Sequence, residues 1–469
     1  MRFHIRAAVM LGACLPTAAE AASFDGAHLS LVWTLPFIGL LLSIAVLPLL
    51  APRFWHHHFG KLSAAWALAF LLPFAVQEGG GTTGHLVVHA LLAEYFPFII
   101  LLLALFTVGG GIAVRGNLHG SPETNLVLIA IGTVLASLMG TTGASMVLIR
   151  PLIRANDGRR YNAHVVVFFI FLVSNIGGAL TPLGDPPLSL GFLLGVDFFW
   201  PTVHLLPQTI FVAVLVLAVF YGLDRYFYAK EEDLPPRPDP TPDSRVRLEG
   251  GFNMLLLLGI LGAVLLSGFW KPDIRFLVYG TAVELQNLAR DVLLLGITFA
   301  SWRFTREGLR KANDFTWGAI IEVAKLFAGI FITIIPAIAI LRGGLDGALA
   351  PVVRLVSDDS GRPIEAAYFW LTGGLSSFLD NAPTYLVFFN AAGGDPQQLM
   401  GPLAATLAAI SAGAVFMGAN TYIGNAPNFM VKSIAEERGV KMPSFFGYMI
   451  WSGCILMPVF LLTTMVFYA

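Results

Sequence analysis

Gly178-Ala179-Leu180-Thr181-Pro182-Leu183-Gly184-Asp185-Pro186-Pro187 returns 240 residues later as Gly418-Ala419-Asn420-Thr421-Tyr422-Ile423-Gly424-Asn425-Ala426-Pro427, with five of ten positions identical. The same ungapped offset sets Leu135-Ala136-Ser137-Leu138-Met139-Gly140-Thr141-Thr142-Gly143 against Leu375-Ser376-Ser377-Phe378-Leu379-Asp380-Asn381-Ala382-Pro383, and it pairs the apolar runs near 204–223 and 444–463. One apolar helix aligns with another by chance. A Gly/Pro-rich interruption that recurs in register with its flanking spans points to an internal repeat. Each half then holds two interrupted elements, a re-entrant hairpin with its tip near Thr141 or Asn381 and a helix broken near Gly184 or Gly424. Unwound backbone inside a membrane leaves amides and carbonyls unpaired at several kcal/mol each, so it persists only beside protein or a water-filled cavity. Kinks that serve packing alone are the bland alternative, and they do not account for the polar side chains that accompany the breaks.

Composition puts these breaks in a membrane. Of 469 residues, 56% are hydrophobic and 12% charged, too little polar surface to cover a soluble globule of this size. Apolar runs of about 20 residues, enough to cross a hydrocarbon core, fall at 29–50, 96–114, 204–223, 252–269, 317–341 and 445–467. Arg2 and Arg6, a short apolar stretch and the run Ala18-Ala19-Glu20-Ala21-Ala22 make 1–21 read as a signal peptide, with an uncleaved anchor as the alternative. The first span then descends. Arg53, Lys61, Arg115, the cluster Arg150, Arg154, Arg159 and Arg160, and the basic residues of 225–247 fall inside, with 77–89 and 196–202 outside. In the second half Arg303 to Lys311 and Lys432 to Lys441 fall inside, while Arg342, Arg354 and Arg362, in an outer connection, are exceptions. On this topology the first hairpin enters from inside and the second from outside.

The expected fold is an all-α polytopic membrane protein of two inverted-topology repeats, 29–227 and 252–469, the second with an extra helix. A Pro-rich, charged stretch, 228–251, reads as a cytoplasmic linker that cannot pack or span. The expected location is the cytoplasmic (inner) membrane of a bacterium. Cys14 and Cys454 alone build neither a disulfide framework nor a thiolate metal site.

Asp185 and Asp380 lie in interrupted segments surrounded by apolar sequence, where an ionised carboxylate should face a cavity or a cation. Asn175, Thr141, Thr142, Thr181, Asn381, Thr384, Asn420, Thr421 and Asn425 add oxygen donors suited to a hard cation that has shed water. Unwound carbonyls and helix C-terminal ends favour cations, helix N-terminal ends favour anions; two acids with no Lys or Arg in the four interrupted stretches favour a cation. A carboxylate for which ion and proton compete is the simplest antiport device.

Other features carry blander readings. Glu322 and Lys325, three apart on one helix, read as a neutralising pair or as a proton relay. Lys432 reads as a snorkelling interfacial cation, with a substrate-facing role as the alternative. Adjacent histidines on one turn point different ways, so His56-His57-His58 reads as interfacial anchoring rather than a metal cluster. Gly109-Gly110-Gly111 lacks the βαβ context of a dinucleotide fingerprint and reads as close packing or the end of a span.

Ser174-Asn175-Ile176-Gly177-Gly178-Ala179 running into Thr181-Pro182-Leu183-Gly184-Asp185-Pro186-Pro187, with Leu379-Asp380-Asn381-Ala382-Pro383 later, resembles the ion transporter superfamily. The nearest look is to NhaD-type sodium/proton antiporters and their citrate-carrier-like relatives. The resemblance, from about residue 30 onward, implies a permease with sodium-binding roles for Asp185 and Asp380 together with Asn175, Thr181, Asn381 and Thr421, and a homodimer. It is less specific for substrate, since Asp185-Pro186-Pro187 departs toward a branch without a firm assignment. The two membrane carboxylates among hydroxyl and amide donors make sodium/proton exchange the leading expectation, with cation-coupled citrate or dicarboxylate transport the second. The expected partners are the bilayer and a small ion or organic anion, with no nucleic acid and no cofactor beyond sodium and protons as coupling or transported ions. An intramembrane aspartyl protease, which also uses two membrane aspartates, is disfavoured because Pro182 stands where that chemistry needs Gly and Leu379 precedes Asp380.

Overall fold

The computed structural model describes residues 26–232 and 244–469, so the signal peptide expected at 1–21 and the middle of the expected linker lie outside the described residues. The chain begins with α1 (Leu35–Leu50), α2 (Pro52–Glu78) and α3 (Gly80–His89), which continues through a π turn, Ala90–Tyr95, into α4 (Phe96–Gly109). Strand β1 (Ala113–Asn117) leads to α5 (Pro122–Met139), α6 (Thr141–Ala155), α7 (Ala163–Leu172), α8 (Pro186–Leu193) and α9 (Trp200–Glu232). After β2 (Ser244–Glu249) come α10 (Gly251–Phe269), the ribbon β3 (Arg275–Val278) and β4 (Thr281–Glu284), α11 (Leu285–Phe304) and α12 (Glu307–Ala312). The remainder is α13 (Gly318–Thr333), α14 (Ile335–Arg342), α15 (Ala350–Leu355), α16 (Glu365–Ser376), α17 (Asn381–Ala391), α18 (Pro396–Met400), α19 (Ala404–Met417), α20 (Ala426–Glu437) and α21 (Phe445–Phe467).

Among the described residues eight helices are long and apolar enough to cross a membrane, and α13 with α14 makes a ninth, bent by 43°. This is a polytopic all-α membrane protein whose sheet, among the described residues, is confined to two antiparallel two-stranded ribbons. The apolar run expected over 317–341 is this bent pair. Pro336 lacks the amide needed to continue the helical ladder, and the chain bends just before it. A correction falls at 96–114, where the span stops at Gly109 and Ala113–Asn117 pairs with Ser244–Glu249. The stretch expected as an unpacked linker is therefore folded at both ends, since α9 runs to Glu232 and β2 closes a ribbon against β1.

Helix α7 sets the centre. Its residues are buried almost without exception, from His164 to Leu172, as expected for a helix that is apolar all round and surrounded by protein rather than lipid. Its phenylalanines pack against α9 and α21, Phe168 beside Phe220 and Trp451, Phe171 beside Tyr448. The same core joins Ile149 and Val173 to Phe389 and Val415, so the hairpins and broken helices of the two halves share one packed interior.

Each break is closed in the same way. The Thr181 hydroxyl donates to the Ser137 carbonyl and accepts from Leu183 N; the Thr421 hydroxyl donates to the Ser377 carbonyl and accepts from Ile423 N. The Ser137 hydroxyl donates to the Gly177 carbonyl and the Ser377 hydroxyl to that of Met417. Backbone angles agree as well, φ −145° and ψ 160° at Thr181 against −138° and 167° at Thr421. A Cβ on Gly184 would overlap the Gly178 carbonyl, and one on Gly424 the Gly418 carbonyl. Gly184→Ala and Gly424→Ala should therefore each destabilise the protein by about 1–3 kcal/mol. Gly262, where an added methyl would meet no atom within 4 Å, supplies the control. Thermal midpoints in detergent, read by tryptophan fluorescence, should fall for the first two and hold for Gly262→Ala.

Candidate ion and substrate site

The two hairpins turn at Gly140 and Asp380. Gly140 has φ +82°, a conformation that side chains resist. Asp380 has φ −55° and instead caps its helix, accepting from Ala382 N at 3.1 Å. The hairpin tip and the broken helix of the first half meet directly, Thr141 N donating to Gly184 O at 2.8 Å.

Asp185 closes the cluster. Only 1% exposed, its carboxylate accepts from the Thr141 hydroxyl at 2.9 Å, from Asn425 Nδ2 at 3.1 Å and from Asn381 Nδ2 at 2.5 Å. Thr141 and Asn381 are related by the 240-residue offset, and so are Asp185 and Asn425. All three donors are neutral. The Asn381 Oδ1 is buried beside them with no hydrogen-bond partner among the described residues, an acceptor oxygen left over at the cluster.

A cavity of about 120 Å³ opens against this cluster, lined by Thr141, Thr142, Asp185, Asp380 and Asn425 and closed by apolar side chains that include Phe106, Phe327 and Met430. Among the described residues no Lys or Arg lines it. The first residues of α6, α8 and α20 also line it, and α17 begins at Asn381, next to Asp380. Four helix N-terminal ends therefore gather at one place, each with the partial positive charge of its dipole, although α8, which opens Pro186-Pro187, offers no free amide in its first two positions.

Not every residue named from the sequence reaches the cavity. Thr181 and Thr421 do not line it, because their hydroxyls close the backbone breaks. Asn175 stands one layer back, donating to Ile170 O at 2.8 Å and to Asn428 Oδ1 at 2.7 Å and accepting from Asn425. Thr384 donates to the Asp380 carbonyl, and Asn420 to the Ser377 hydroxyl. Glu322 and Lys325 are not the expected ion pair. Glu322 accepts from Trp55 Nε1 at 3.2 Å and Lys325 lies 5.5 Å from the Phe59 ring, both turned toward α2. The cavity sees the other face of α13, Ala319, Ile320, Val323 and Phe327, so neither charge lines it. His57 and His58 bond carbonyls of the preceding turn, and no group of three or more metal-ligating side chains occurs among the described residues.

Three residues of the site escape the sequence reading. Asn428 bridges the second break, donating to Gly418 O and Thr421 O; its signal is a lone amide in apolar surroundings three residues after Asn425. Ser137 and Ser377 are visible as an identical pair at the 240-residue offset.

Comparison with known proteins agrees with this architecture. Residues 26–468 match the family described as "Putative citrate transport". An uncharacterized transporter of Mycobacterium tuberculosis is 24% identical over 338 residues, 70% of this chain and 73% of the relative, and the counterpart in Mycobacterium bovis matches equally. A 46 kDa membrane protein of Mycobacterium leprae is 31% identical over 117 residues, 24% of this chain and 27% of that protein. These relatives are transporters or membrane proteins by name, and the family match spans both breaks, both hairpins and every element between them. The chain is a multi-pass membrane transporter, not an enzyme, and belongs to the citrate-transport family.

Proposed function

We propose that the protein is a secondary active transporter in which Asp185 and Asp380 hold a monovalent cation, sodium or a proton, and that sodium/proton exchange is its activity. The observation that carries this is the pair of carboxylates on one cavity without a basic residue in its lining. Hydrogen bonds to a charged group contribute about 1.5–3 kcal/mol each, and nearby helix N-terminal ends about 0.3–1 kcal/mol each. Three neutral donors and these ends can offset one dehydrated carboxylate, whose real cost is several kcal/mol. A second carboxylate on the same cavity has no such set of donors. A cation or a proton supplies the missing charge, and the unpartnered Asn381 Oδ1 is an oxygen such a cation would use. Because sodium and protons compete for the same carboxylates, loading one discharges the other.

The contact between Asp185 and Asn425, 240 residues apart, supports a two-fold relation between the halves. Positions related by a two-fold axis meet only on that axis, an argument for a site at the interface between repeats, the usual location in such transporters.

Cation-coupled citrate transport is the second reading, favoured by a different observation. Four gathered helix N-terminal ends suit an anionic carboxylate substrate, and the family is described as citrate transport. In that reading the cation held by Asp185 and Asp380 is carried with the substrate. The intramembrane protease reading has no support from the family.

Purified protein in liposomes with an internal pH-sensitive dye separates the two. A sodium gradient should move protons, labelled citrate should not accumulate, and Asp185→Asn should abolish proton movement. Sodium-dependent citrate uptake without sodium-driven proton movement would replace the leading reading with the second. Asn425→Ala tests the donor set: it removes a hydrogen bond to a buried acceptor and leaves Asp185 less satisfied, at about 1–3 kcal/mol. Its sodium dependence should shift roughly tenfold or more, measured as the concentration giving half-maximal exchange.

A further inference from the structure

A second polar cavity, of about 360 Å³, is lined by five basic side chains, Arg115, Arg150, Arg154, Lys311 and Arg438, and, among the described residues, by no carboxylate. Its acids stand at the rim: Asp314 lies 3.0 Å from Arg150 and 3.9 Å from Arg438, Glu249 2.9 Å from Arg115, and Glu307 3.4 Å from Lys311. Glu307 is 88% and Asp314 60% exposed, so water screens both. Arg150, by contrast, is 5% exposed. Arg154 gives its guanidinium to the Val114 and Gly116 carbonyls. Arg115, Arg438 and Lys311 are 51%, 46% and 79% exposed, so the cavity opens to solvent; five cations gathered around one half-open cavity still repel one another, and an anion seated among them relieves that repulsion.

The location of this cavity gives it a consequence. Helix α6 begins at Thr141 in the ion and substrate site and carries Arg150 and Arg154 near its other end, Arg150 about 14 Å along the axis at roughly 1.5 Å per residue. Helix α20 begins beside Asn425 in the site and ends next to Arg438. The opposite wall, Arg115 on β1 and Lys311 on α12, belongs to elements that do not enter the site. Every one of these basic residues falls on the inside by the positive-inside rule.

We propose that this cavity binds a multivalent phosphate-type oxyanion on the cytoplasmic face and, when filled, ties the two site-bearing helices α6 and α20 to the β1–β2 ribbon and α12. Planar guanidinium forks match phosphate oxygens in pairs. The same chemistry is offered by a free polyphosphate and by the headgroup of an anionic phospholipid, and the two are told apart by the probe.

The test uses the full chain in nanodiscs of phosphatidylcholine alone, titrated with pyrophosphate at low and high potassium chloride. Saturable binding is expected, weakened by salt, and at least about tenfold weaker in the double variant Arg154→Gln, Lys311→Gln. Lys311→Gln alone, at a residue 79% exposed, guards against misfolding and should weaken binding in the same direction. Should pyrophosphate not bind, discs containing cardiolipin, whose headgroup carries two phosphates, should raise the thermal midpoint of the parent protein more than that of the double variant, which identifies the headgroup as occupant. Equal responses of parent and variant to both probes overturn the proposal.

Discussion

A carboxylate cut off from water has to be met by something, and in this protein the surroundings of Asp185 determine much of the architecture. Thr141, Asn381 and Asn425 reach it from three separate elements. To deliver them, the chain turns beside Asp185 at two helical hairpins and breaks between helices at two other places. Interruption frees backbone groups, which then need partners. Ser137, Thr181, Ser377, Thr421 and Asn428 supply these, so much of the buried polarity in the interior follows from holding one acid in place.

The surrounding core explains why the arrangement can be held in an apolar interior. Helix α7 is buried along almost its whole length, and its side chains join the core that also receives α17 and α19. A close-packed interior deforms little. Hydrogen bonds at the breaks are therefore held in place by packing, and the apolar wall of the site is the one formed by Phe106, Phe327 and Met430. Those residues come from α4, α13 and α20. The 43° bend between α13 and α14 divides the α13 side of that wall into two helical pieces.

How much of this is legible in the sequence depends on the kind of signal. The breaks are legible because Gly and Pro act locally: Gly184 and Gly424 permit a close backbone approach that a side chain would block. Asp185, Asp380, Asn425 and Asn381 stand out because polar side chains in apolar runs are costly. What periodicity does not reveal is direction. Thr181 and Thr421 sit in the right segments and turn to the backbone, and Glu322 and Lys325 share a helix yet face α2, since spacing gives neighbours along one helix and not the element across from it. The strand at Ala113–Asn117 is hidden for a related reason. Its partner, Ser244–Glu249, is far away in the sequence, in a stretch whose charge suggests no packing at all.

The departure of the two halves from equivalence is itself informative. At the offset of 240, Asp185 corresponds to Asn425 and Gly140 to Asp380, so each half contributes one acid, at positions that do not correspond. Acids at both 185 and 425 would sit about 3 Å apart, too close for both to carry charge without a cation between them. Asp380 escapes that by standing at a hairpin tip, where its own helix N-terminus accepts the charge through Ala382 N. Gly140 could not exchange with it, because φ +82° strains any residue with a Cβ. The two halves thus reach two separately addressable carboxylates on one cavity, one held by neutral donors from both halves and one by a helix end.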